Sequence, residues 1–363
     1  MKKITALSAI IIMLIIFGCS AADVEQENEQ SVQENTQNGT IQETVQTEEE
    51  QEEKEQEELV LSFVGDIMFD KSVAGFIKSK GEDYIFQGYE KHFKGSDIVF
   101  GNLETALSNN GEPMEDKEYT FRSSPKLAPF LKKNNFHTMS IANNHVLDYG
   151  RAAFVDTMKA LKDNGISYGG GGHNKKEASE GVIIEKKGLK IGFIAFTRVT
   201  PSVDWYAGAK RPGIIGAYKV HEAEVLEAVG SLRTKCDLLV VSLHWGKEGT
   251  TTVGKQESEL AHKLVDAGVD VIMGHHSHVV QSFELHKDKL IMYSLGNFIF
   301  TTSYSEISNK TIMATVRFDK SGKLKSVEAV PGIVKWGRPV PMEEAQGREF
   351  MDYLNKMNIN IEL

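Results

Sequence analysis

The sequence predicts an α/β fold that contains an antiparallel or mixed sheet. Short apolar runs, typical of buried strands, alternate with amphipathic segments of helical period through most of the chain after Leu59. Two neighbouring apolar runs, in "GVIIEKKGLKIGFIAFT", are joined by a turn that contains Lys187 and Gly188, which predicts an antiparallel hairpin. The chain has 363 residues, 40% of them hydrophobic, and can therefore bury a sizeable core.

The first half of this region contains three predicted strands alternating with helices. The strands lie in "ELVLSFVGDIMFD", "SDIVFGNLETAL" and "HTMSIANNHVLDYG", because each is an apolar run that ends in polar residues. Helices are predicted at about residues 70–79, in "SSPKLAPFLKKNNF" with its proline at the first helical position, and in "RAAFVDTMKALKDNGI", which stops at Gly165.

The second half continues the alternation. Helices are predicted in "HEAEVLEAVGSLRTK" and "KQESELAHKLVDAG", and buried strands in "CDLLVVSLHWG" and "VDVIMGHHSH". Further strands are predicted in "LIMYSLGNFIF", "TIMATVRFD" and "LKSVEAVPGIV", with a closing helix from about Glu343. Because no linker follows residue 59, residues 59–363 are predicted to form one domain.

Residues 1–19 have the features of an export signal. Two lysines precede an apolar stretch of about fifteen residues, which is shorter than the ~20 that a spanning helix needs. The segment "IFGC" resembles a bacterial lipoprotein processing box, in which Cys19 becomes the lipidated first residue. The alternative is an uncleaved signal anchor. Either outcome places the protein at the cell membrane, with its folded part on the extracytoplasmic face.

Residues 20–58 are predicted to be a disordered acidic linker. They contain fourteen acids against Lys54 alone, with no aromatic residue. The whole chain has a net charge of −10, so residues 59–363 carry about +1, and no basic block indicates nucleic-acid binding. Cys236 is the one cysteine besides Cys19, and its apolar surroundings predict a buried core thiol.

Polar residues that can bind metal recur where successive apolar strands end. In open α/β sheets, ligands bind beyond the carboxyl ends of the strands, so these residues are predicted to converge on one cleft. Each motif alone has a simpler explanation, such as a turn aspartate or a helix cap. The strongest motif is "GHHSH", because imidazoles close in sequence after a glycine turn can point at one ion. The strand ends are Asp66, Glu104, Asn144-His145, His244 and His275 to His278.

The set of motifs resembles the CapA (PgsA) family of poly-γ-glutamate capsule synthesis proteins, a branch of the calcineurin-like metallophosphoesterases. Their order is Gly-Asp, Asn-Leu-Glu, Ala-Asn-Asn-His, His-Trp-Gly and Gly-His-His-x-His. The resemblance runs from about Leu59 to Thr301 and includes "YTFRSSP" and "YSLGNFIF". It implies a metallophosphoesterase-like four-layer sandwich of two mixed sheets flanked by helices.

The resemblance also implies site residues. His145 matches the histidine that protonates the leaving group, and His275 is an insertion or a neighbour of the ligands. Such sites hold one or two divalent ions, and this mixture of oxygen and imidazole donors suits Mn, Zn or Fe. Arg122 is a candidate clamp for an anionic group, with a surface salt bridge as the alternative. The residues that match metal ligands are Asp66, Glu104, Asn144, His244, His276 and His278.

One position departs from the superfamily pattern. Two residues after Asp66, where the superfamily usually has a histidine ligand, this chain has Met68. A thioether binds hard or borderline ions poorly, so either one ion binds or another donor, such as Asp70 or water, replaces the histidine.

Three functional hypotheses follow. The first is a membrane-anchored component of poly-γ-glutamate capsule synthesis or export, whose partners are other capsule proteins and the polymer. The second is a metal-dependent cell-surface hydrolase of phosphoesters or amides that is unrelated to a capsule. The third is a non-catalytic scaffold with a degenerate metal site, which Met68 favours.

Overall fold

The computed structural model describes residues 58–363. The predicted export signal at residues 1–19, Cys19 within it, and nearly all of the predicted linker at 20–58 lie outside the described residues. The α-helices of the described part are α1 Ser72–Lys80, α2 Glu90–Lys94, α3 Leu127–Lys133, α4 Gly150–Asp163, α5 Lys175–Glu180, α6 Glu222–Arg233, α7 Lys255–Asp266 and α8 Glu344–Asn355.

The strands of the described part are β1 Leu59–Ile67, β2 Ile98–Leu103, β3 Ala106–Leu107, β4 Arg122–Ser123, β5 Phe136–Ser140, β6 Ser167–Gly169, β7 Gly171–Gly172, β8 Val182–Lys186, β9 Leu189–Thr197, β10 Gly213–Ile214, β11 Leu238–His244, β12 Val271–His275, β13 Phe283–His286, β14 Lys289–Met292, β15 Asn297–Ile299, β16 Lys310–Phe318, β17 Leu324–Lys335 and β18 Arg338–Pro341. Short 3₁₀ helices lie at Glu82–Phe86, Val203–Trp205, Lys219–His221 and Ile307–Asn309.

The larger sheet has eight strands and is mixed. Its order is β18-β17-β16-β1-β2-β5-β6, and β15 also pairs with β1. Strands β1, β2, β5 and β6 are parallel, whereas β16, β17 and β18 are antiparallel to their neighbours. The first five residues of β1 pair with β16, but Asp66 and Ile67 pair with β15 instead. Strand β15 therefore lies beside the carboxyl end of β1.

The smaller sheet has six strands in the order β13-β14-β12-β11-β9-β8. Strands β9, β11, β12 and β14 are parallel. The predicted hairpin is confirmed as β8 and β9, which pair antiparallel. Lys187 and Gly188 both have positive φ, 47° and 77°, as the tight two-residue hairpin turn requires.

The two sheets pack face to face around an aromatic core. Phe100 of the larger sheet lies 5.0 Å from Phe63 and 5.3 Å from Phe193 of the smaller sheet, measured between ring centroids. Helices α1, α3 and α4 pack on the outer face of the larger sheet, and α6 and α7 on that of the smaller. The order helix, sheet, sheet, helix confirms the predicted four-layer α/β sandwich. It also explains why β1, β2, β11 and β12 are buried along their whole length, since both faces of each sheet are covered.

Two local predictions need correction. The proline of "SSPKLAPF", Pro125, lies in a turn before α3 because that helix begins at Leu127. Cys236 is only partly buried, because it precedes β11 and lies at the edge of the core beneath α6, with its thiol 3.3 Å from the Leu232 carbonyl oxygen. Within residues 58–363, every helix is too short or too polar to span a bilayer.

Candidate metal centre

The carboxyl ends of the two sheets meet at one buried cluster. Strands β1, β2 and β5 of the larger sheet deliver Asp66, Glu104 and Asn144, and strands β11 and β12 of the smaller sheet lead to His244, His276 and His278. Nε2 of His244 lies 2.7 Å from Oδ1 of Asn144 and 3.5 Å from Oε1 of Glu104. The six residues that the resemblance implied as metal ligands are therefore brought together.

Close backbone approach and an unusual turn hold this cluster. A Cβ atom on Gly65 would lie 1.9 Å from the Gly296 carbonyl oxygen, so only glycine lets β1 and the chain before β15 meet beside Asp66. After β12, His276 and His278 have φ of 87° and 56°, a region that favours glycine. Strain of this kind persists where the surrounding structure fixes it, and it is concentrated at functional sites.

The cluster contains three overlapping groups of donor residues. Within each group, the donor atoms all lie within 4.8 Å of one another. One consists of Glu104, His244 and His276, and a second of Asp66, Glu104 and His278. The third joins His276 and His278 to the exposed Glu248. Glu104 belongs to both of the buried groups, so its carboxylate lies where it can be shared between two ions.

The donor set fits a divalent cation. Both carboxylate oxygens of Glu104 and Nδ1 of His276 are buried without a hydrogen-bond partner. A buried carboxylate that nothing compensates costs several kcal/mol, whereas coordination to a cation satisfies its lone pairs. Two carboxylates and several imidazoles form a mixed oxygen and nitrogen set that suits borderline divalent ions.

The cluster strongly perturbs its own acids and imidazoles. Burial and the charge of Asp66 raise the pKa of Glu104 well above its usual range, while burial lowers the pKa of His276 to about 3. Burial would also lower the pKa of His278, but the carboxylates of Glu104 and Asp66 raise it to about 10. The position between the two carboxylates therefore favours positive charge, as a cation site must.

His145 lies beside the cluster as part of a buried dyad. Its Nδ1 lies 2.7 Å from Oδ2 of the fully buried Asp148, and its ring stacks on Phe121 at 4.2 Å. Lys117 bonds to the other oxygen of Asp148 and to the Asn144 carbonyl oxygen. A carboxylate at Nδ1 fixes the ring and leaves Nε2 as the nitrogen that can exchange a proton with a substrate.

A cleft of 790 Å³ lies over the dyad and the turn after β12. His145, His278 and Asn297 line it together with the aromatic side chains of Phe121 and Phe300. Its other lining residues include Lys71, Glu118, Tyr119, Glu248 and Tyr304. Because the cleft is aromatic with charges of both signs, its composition does not resemble a basic groove for a polyanion.

A family model described as "Bacterial capsule synthesis protein PGA_cap" matches residues 60–302, which include every residue of this cluster. The chain belongs to the PGA_cap family. The match includes the carboxyl ends of β1, β2, β5, β11 and β12, where the motifs lie, and extends through "YSLGNFIF" to Thr302. The resemblance stated from the sequence is thereby confirmed.

Two relatives named for capsule or PGA biosynthesis agree with this membership. The chain is 30% identical to "Capsule biosynthesis protein CapA" of Bacillus anthracis, over 79% of this chain and 70% of that protein. It is 31% identical to "PGA biosynthesis protein CapA" of Bacillus subtilis, over 76% of this chain and 74% of that protein. A solved structure of a hypothetical protein from Thermus thermophilus aligns with a TM-score of 0.48 at 14% identity, over 76% of this chain and 100% of that one.

Two sequence hypotheses about this PGA_cap chain change with the structure. Asp70 does not replace the missing histidine, because its carboxylate accepts the backbone N–H groups of Lys71 and Arg122, and it belongs to none of the donor groups. Its own backbone N–H lies 2.9 Å from Sδ of the fully buried Met68. Met68 is therefore a core side chain that supports the loop after β1.

Arg122 is not at the cleft in this structure. Its guanidinium lies 4.2 Å from the centroid of the Tyr149 ring and donates to the carbonyl oxygens of Gly111, at 2.8 Å, and Asn110, at 3.3 Å. It makes no ion pair with the described residues, so the surface salt bridge is wrong. The proposed role of Arg122 as a clamp for an anionic group stays a prediction. In this structure its guanidinium binds the loop that contains Asn110 and Gly111.

Sequence reasoning missed the roles of Asn102 and Asn297, which orient the ligands, although it did give His275 as a possible neighbour of them. Asn102 donates to Oδ1 of Asp66 at 2.9 Å and lies 3.3 Å from Nδ1 of His244. Oδ1 of Asn297 lies 2.8 Å from Nδ1 of His278, and Nδ1 of His275 lies 3.1 Å from Oδ1 of Asp66. Asn102 and Asn297 do lie in quoted motifs, "FGNLE" and "LGNFIF", but their roles depend on strands that pair far apart in sequence.

Proposed function

We propose that this protein is a membrane-anchored, extracytoplasmic component of poly-γ-glutamate capsule synthesis or export that carries a divalent metal centre. Family membership across residues 60–302 and the two Bacillus relatives named for capsule or PGA biosynthesis support the capsule role. The export-signal pattern of residues 1–19 and the acidic segment after it support the location. Other capsule proteins and the polymer itself are the expected partners.

The metal centre rests on one observation: the shared, buried carboxylate of Glu104 has no hydrogen-bond partner. We expect His244, His276 and Asn144 to bind on one side of it, and Asp66 with His278 on the other. Oxygen donors favour Mn²⁺ and imidazoles favour Zn²⁺ or Fe, so one of these three metals, as one or two ions, is proposed. A bound divalent ion supplies Lewis acidity, which polarises an ester oxygen and activates water near neutral pH.

The chain's own residues supply the remaining parts of a hydrolytic site. Asp148 accepts from Nδ1 of His145 and so orients the ring, which places Nε2 as the donor of a proton to a leaving group. Phe121 covers one face of the ring and limits its rotation. The cleft above is the proposed substrate site, because His145 and His278 both line it.

The capsule role is tested by deleting the gene from a host that secretes poly-γ-glutamate and complementing the deletion. We expect loss of extracellular polymer, restored by the wild-type gene and by the exposed-histidine control His173→Gln, but not by His244→Ala with His276→Ala. Undiminished polymer after the deletion would overturn the capsule role. Full restoration by the double variant would instead indicate a scaffold that does not depend on the metal.

A second candidate function is a cell-surface phosphoesterase or amide hydrolase unrelated to a capsule. The observation that favours it is the His145–Asp148 dyad, since a protein that only held a polymer would have no need of an oriented imidazole. The test is elemental analysis of the purified chain, wild type beside Asp66→Ala, together with a panel of phosphodiesters and γ-glutamyl amides. If the purified chain retains metal and turns over a substrate, and its host makes no capsule, this candidate is favoured. If the chain has neither metal nor turnover, the non-catalytic scaffold is favoured.

A further inference from the structure

We propose a second metal site, formed by His262, Glu284 and His286, that binds one Zn²⁺ or a similar borderline ion and braces the smaller sheet. His262 lies on α7, and the other two residues lie on β13. None of the three belongs to the donor groups around Glu104. This site is independent of the proposed function, because no residue of the cleft contributes to it.

The distances suit a tetrahedral ion. Nε2 of His262 lies 2.8 Å from Oε1 of Glu284, and Nδ1 of His286 lies 3.6 Å from the same oxygen. Zinc bonds to nitrogen and carboxylate oxygen are about 2.0–2.2 Å long, so donor atoms at tetrahedral corners are roughly 3.3 Å apart. The two observed separations lie on either side of that value. A bound ion lies in the plane of each imidazole, so both rings must turn out of their stacked arrangement for all three atoms to reach one ion.

The carboxylate of this cluster is fixed in place. The side chain of Glu284 is 6% exposed, and its other oxygen, Oε2, accepts a hydrogen bond of 2.7 Å from the Tyr293 hydroxyl. Burial and Glu284 raise the pKa of Tyr293, so the hydroxyl stays a donor. A ligand held by a partner behind it is the usual arrangement at metal sites, and it leaves Oε1 directed at the two imidazoles.

Only one imidazole of the pair has a hydrogen bond to Glu284. The rings of His262 and His286 are stacked 4.0 Å apart at an interplanar angle of 8°. Nε2 of His262 is hydrogen-bonded to Oε1 of Glu284 at 2.8 Å, whereas Nδ1 of His286, at 3.6 Å from the same oxygen, is too far for a hydrogen bond. A shared cation satisfies both nitrogens and the oxygen at once. The side chains are 38% and 25% exposed, so an ion can enter from solvent.

The surroundings carry one charge of each sign. Asp266, one helical turn after His262, pairs with Lys287 at 2.5 Å, and this hydrogen bond, with smaller contributions from the two histidines, lowers the pKa of Asp266.

Strand β13 also holds the C-terminal segment, because Ile359 exchanges backbone hydrogen bonds with Phe283 and Leu285 at 2.9 Å. An ion at this site would therefore tie α7, β13 and the C-terminal residues together.

The test measures zinc bound by the purified full-length chain after chelator treatment and dialysis against ZnCl₂. We expect His262→Gln with His286→Gln to bind one equivalent less than wild type. The central-site variant His244→Gln with His276→Gln should keep that equivalent and should still melt at a higher temperature with zinc than without it. The exposed His173→Gln is the matched control and should bind as much zinc as wild type.

Two results would overturn the site. One is a double variant at His262 and His286 that binds as much zinc as wild type and shows the same zinc-dependent shift in melting temperature. The other is an equal loss in His173→Gln, which would mean adsorption to surface histidines. If the double variant fails to fold, Glu284→Gln, which keeps an acceptor for Tyr293, should weaken zinc binding about tenfold or more; unchanged binding in that variant would also refute the site.

Discussion

Nδ1 of His145 lies 2.7 Å from Oδ2 of Asp148, a carboxylate with no exposed surface. The same oxygen accepts the backbone N–H of Phe121, whose ring stacks on the imidazole. The carboxylate thus fixes both the imidazole and the aromatic side chain beside it. His145 is therefore held in one orientation, with Asp148 as its positioning residue.

The dyad gives the first prediction. Under the proposed hydrolase function, His145→Ala is expected to lower the rate of phosphodiester hydrolysis about 10²–10⁴-fold, and Asp148→Asn about 10–100-fold, because the amide cannot fix the same tautomer. Metal content should stay at the wild-type value in both variants. Rates are measured with an aryl phosphodiester across pH. Asp156→Asn, which changes a carboxylate bonded to Ser108 and Asn110, is the control; a wild-type rate in His145→Ala would contradict the role.

The second prediction concerns the pH dependence of stability. Because the folded chain raises the pKa of Glu104 above its ordinary value of 4.5, the folded state keeps the proton while the unfolded state loses it as pH rises. Glu104 therefore destabilises the metal-free protein increasingly above about pH 4.5. The contribution of Glu104 to the free energy of unfolding therefore falls as pH rises until its folded pKa is reached, by at most about 1.4 kcal/mol for each pH unit.

Glu104→Gln removes that titration. In the presence of a chelator, we expect the variant to be more stable than wild type at pH 8 and the difference to shrink toward pH 4, as measured by urea unfolding. With metal added, wild type should gain stability and the variant should not. A difference in stability that does not change with pH would refute the assignment.

The third prediction separates Asn297 from Asp70. Asn297 orients His278 and is fixed in turn by its own bond to the Ser308 carbonyl oxygen, so Asn297→Ala should weaken metal binding about 10–100-fold. Asp70→Asn should leave metal affinity unchanged, because that carboxylate accepts hydrogen bonds from the backbone N–H groups of Lys71 and Arg122 and belongs to none of the donor groups. Competition with a chelator measures both affinities. Weakened binding in Asp70→Asn would restore Asp70 as a ligand.

The fourth prediction compares two glycines. Gly65→Ala places a methyl group 1.9 Å from the Gly296 carbonyl oxygen and should separate β1 from β15, with a loss of about 1–3 kcal/mol and weaker metal binding. Gly75→Ala in α1 meets no atom within 4 Å and should instead stabilise the protein by about 0.5–1 kcal/mol. Thermal and urea unfolding measure both effects. Equal effects at the two positions would contradict the close approach of the strands.

The order of strands and helices was predictable because it depends on local patterns. The apolar runs of β1, β11 and β12 and the Lys187-Gly188 turn lie within a few residues of each other, and each favours its structure by itself. Polar residues at the ends of β1, β2, β5, β11 and β12 predicted the cluster, and the family resemblance indicated which six of them are metal ligands. Parallel strands bring their carboxyl ends to one edge, so this step also needed no knowledge of the partners.

The sequence by itself determined which side chains lie at the ends of the buried strands. The resemblance of those motifs to a known family indicated the family to which the chain belongs. Only the tertiary structure decided how these side chains are held. Asn102 contacts His244, which lies 142 residues away in the chain, and Asp148 orients His145. Arg122 donates a hydrogen bond to the Gly111 carbonyl oxygen of a loop. It also brought His262 of α7 to the Glu284 of β13. The reason is physical, since a hydrogen bond or a coordinated ion depends on ångström distances that sheet pairing and packing set between residues far apart in the chain.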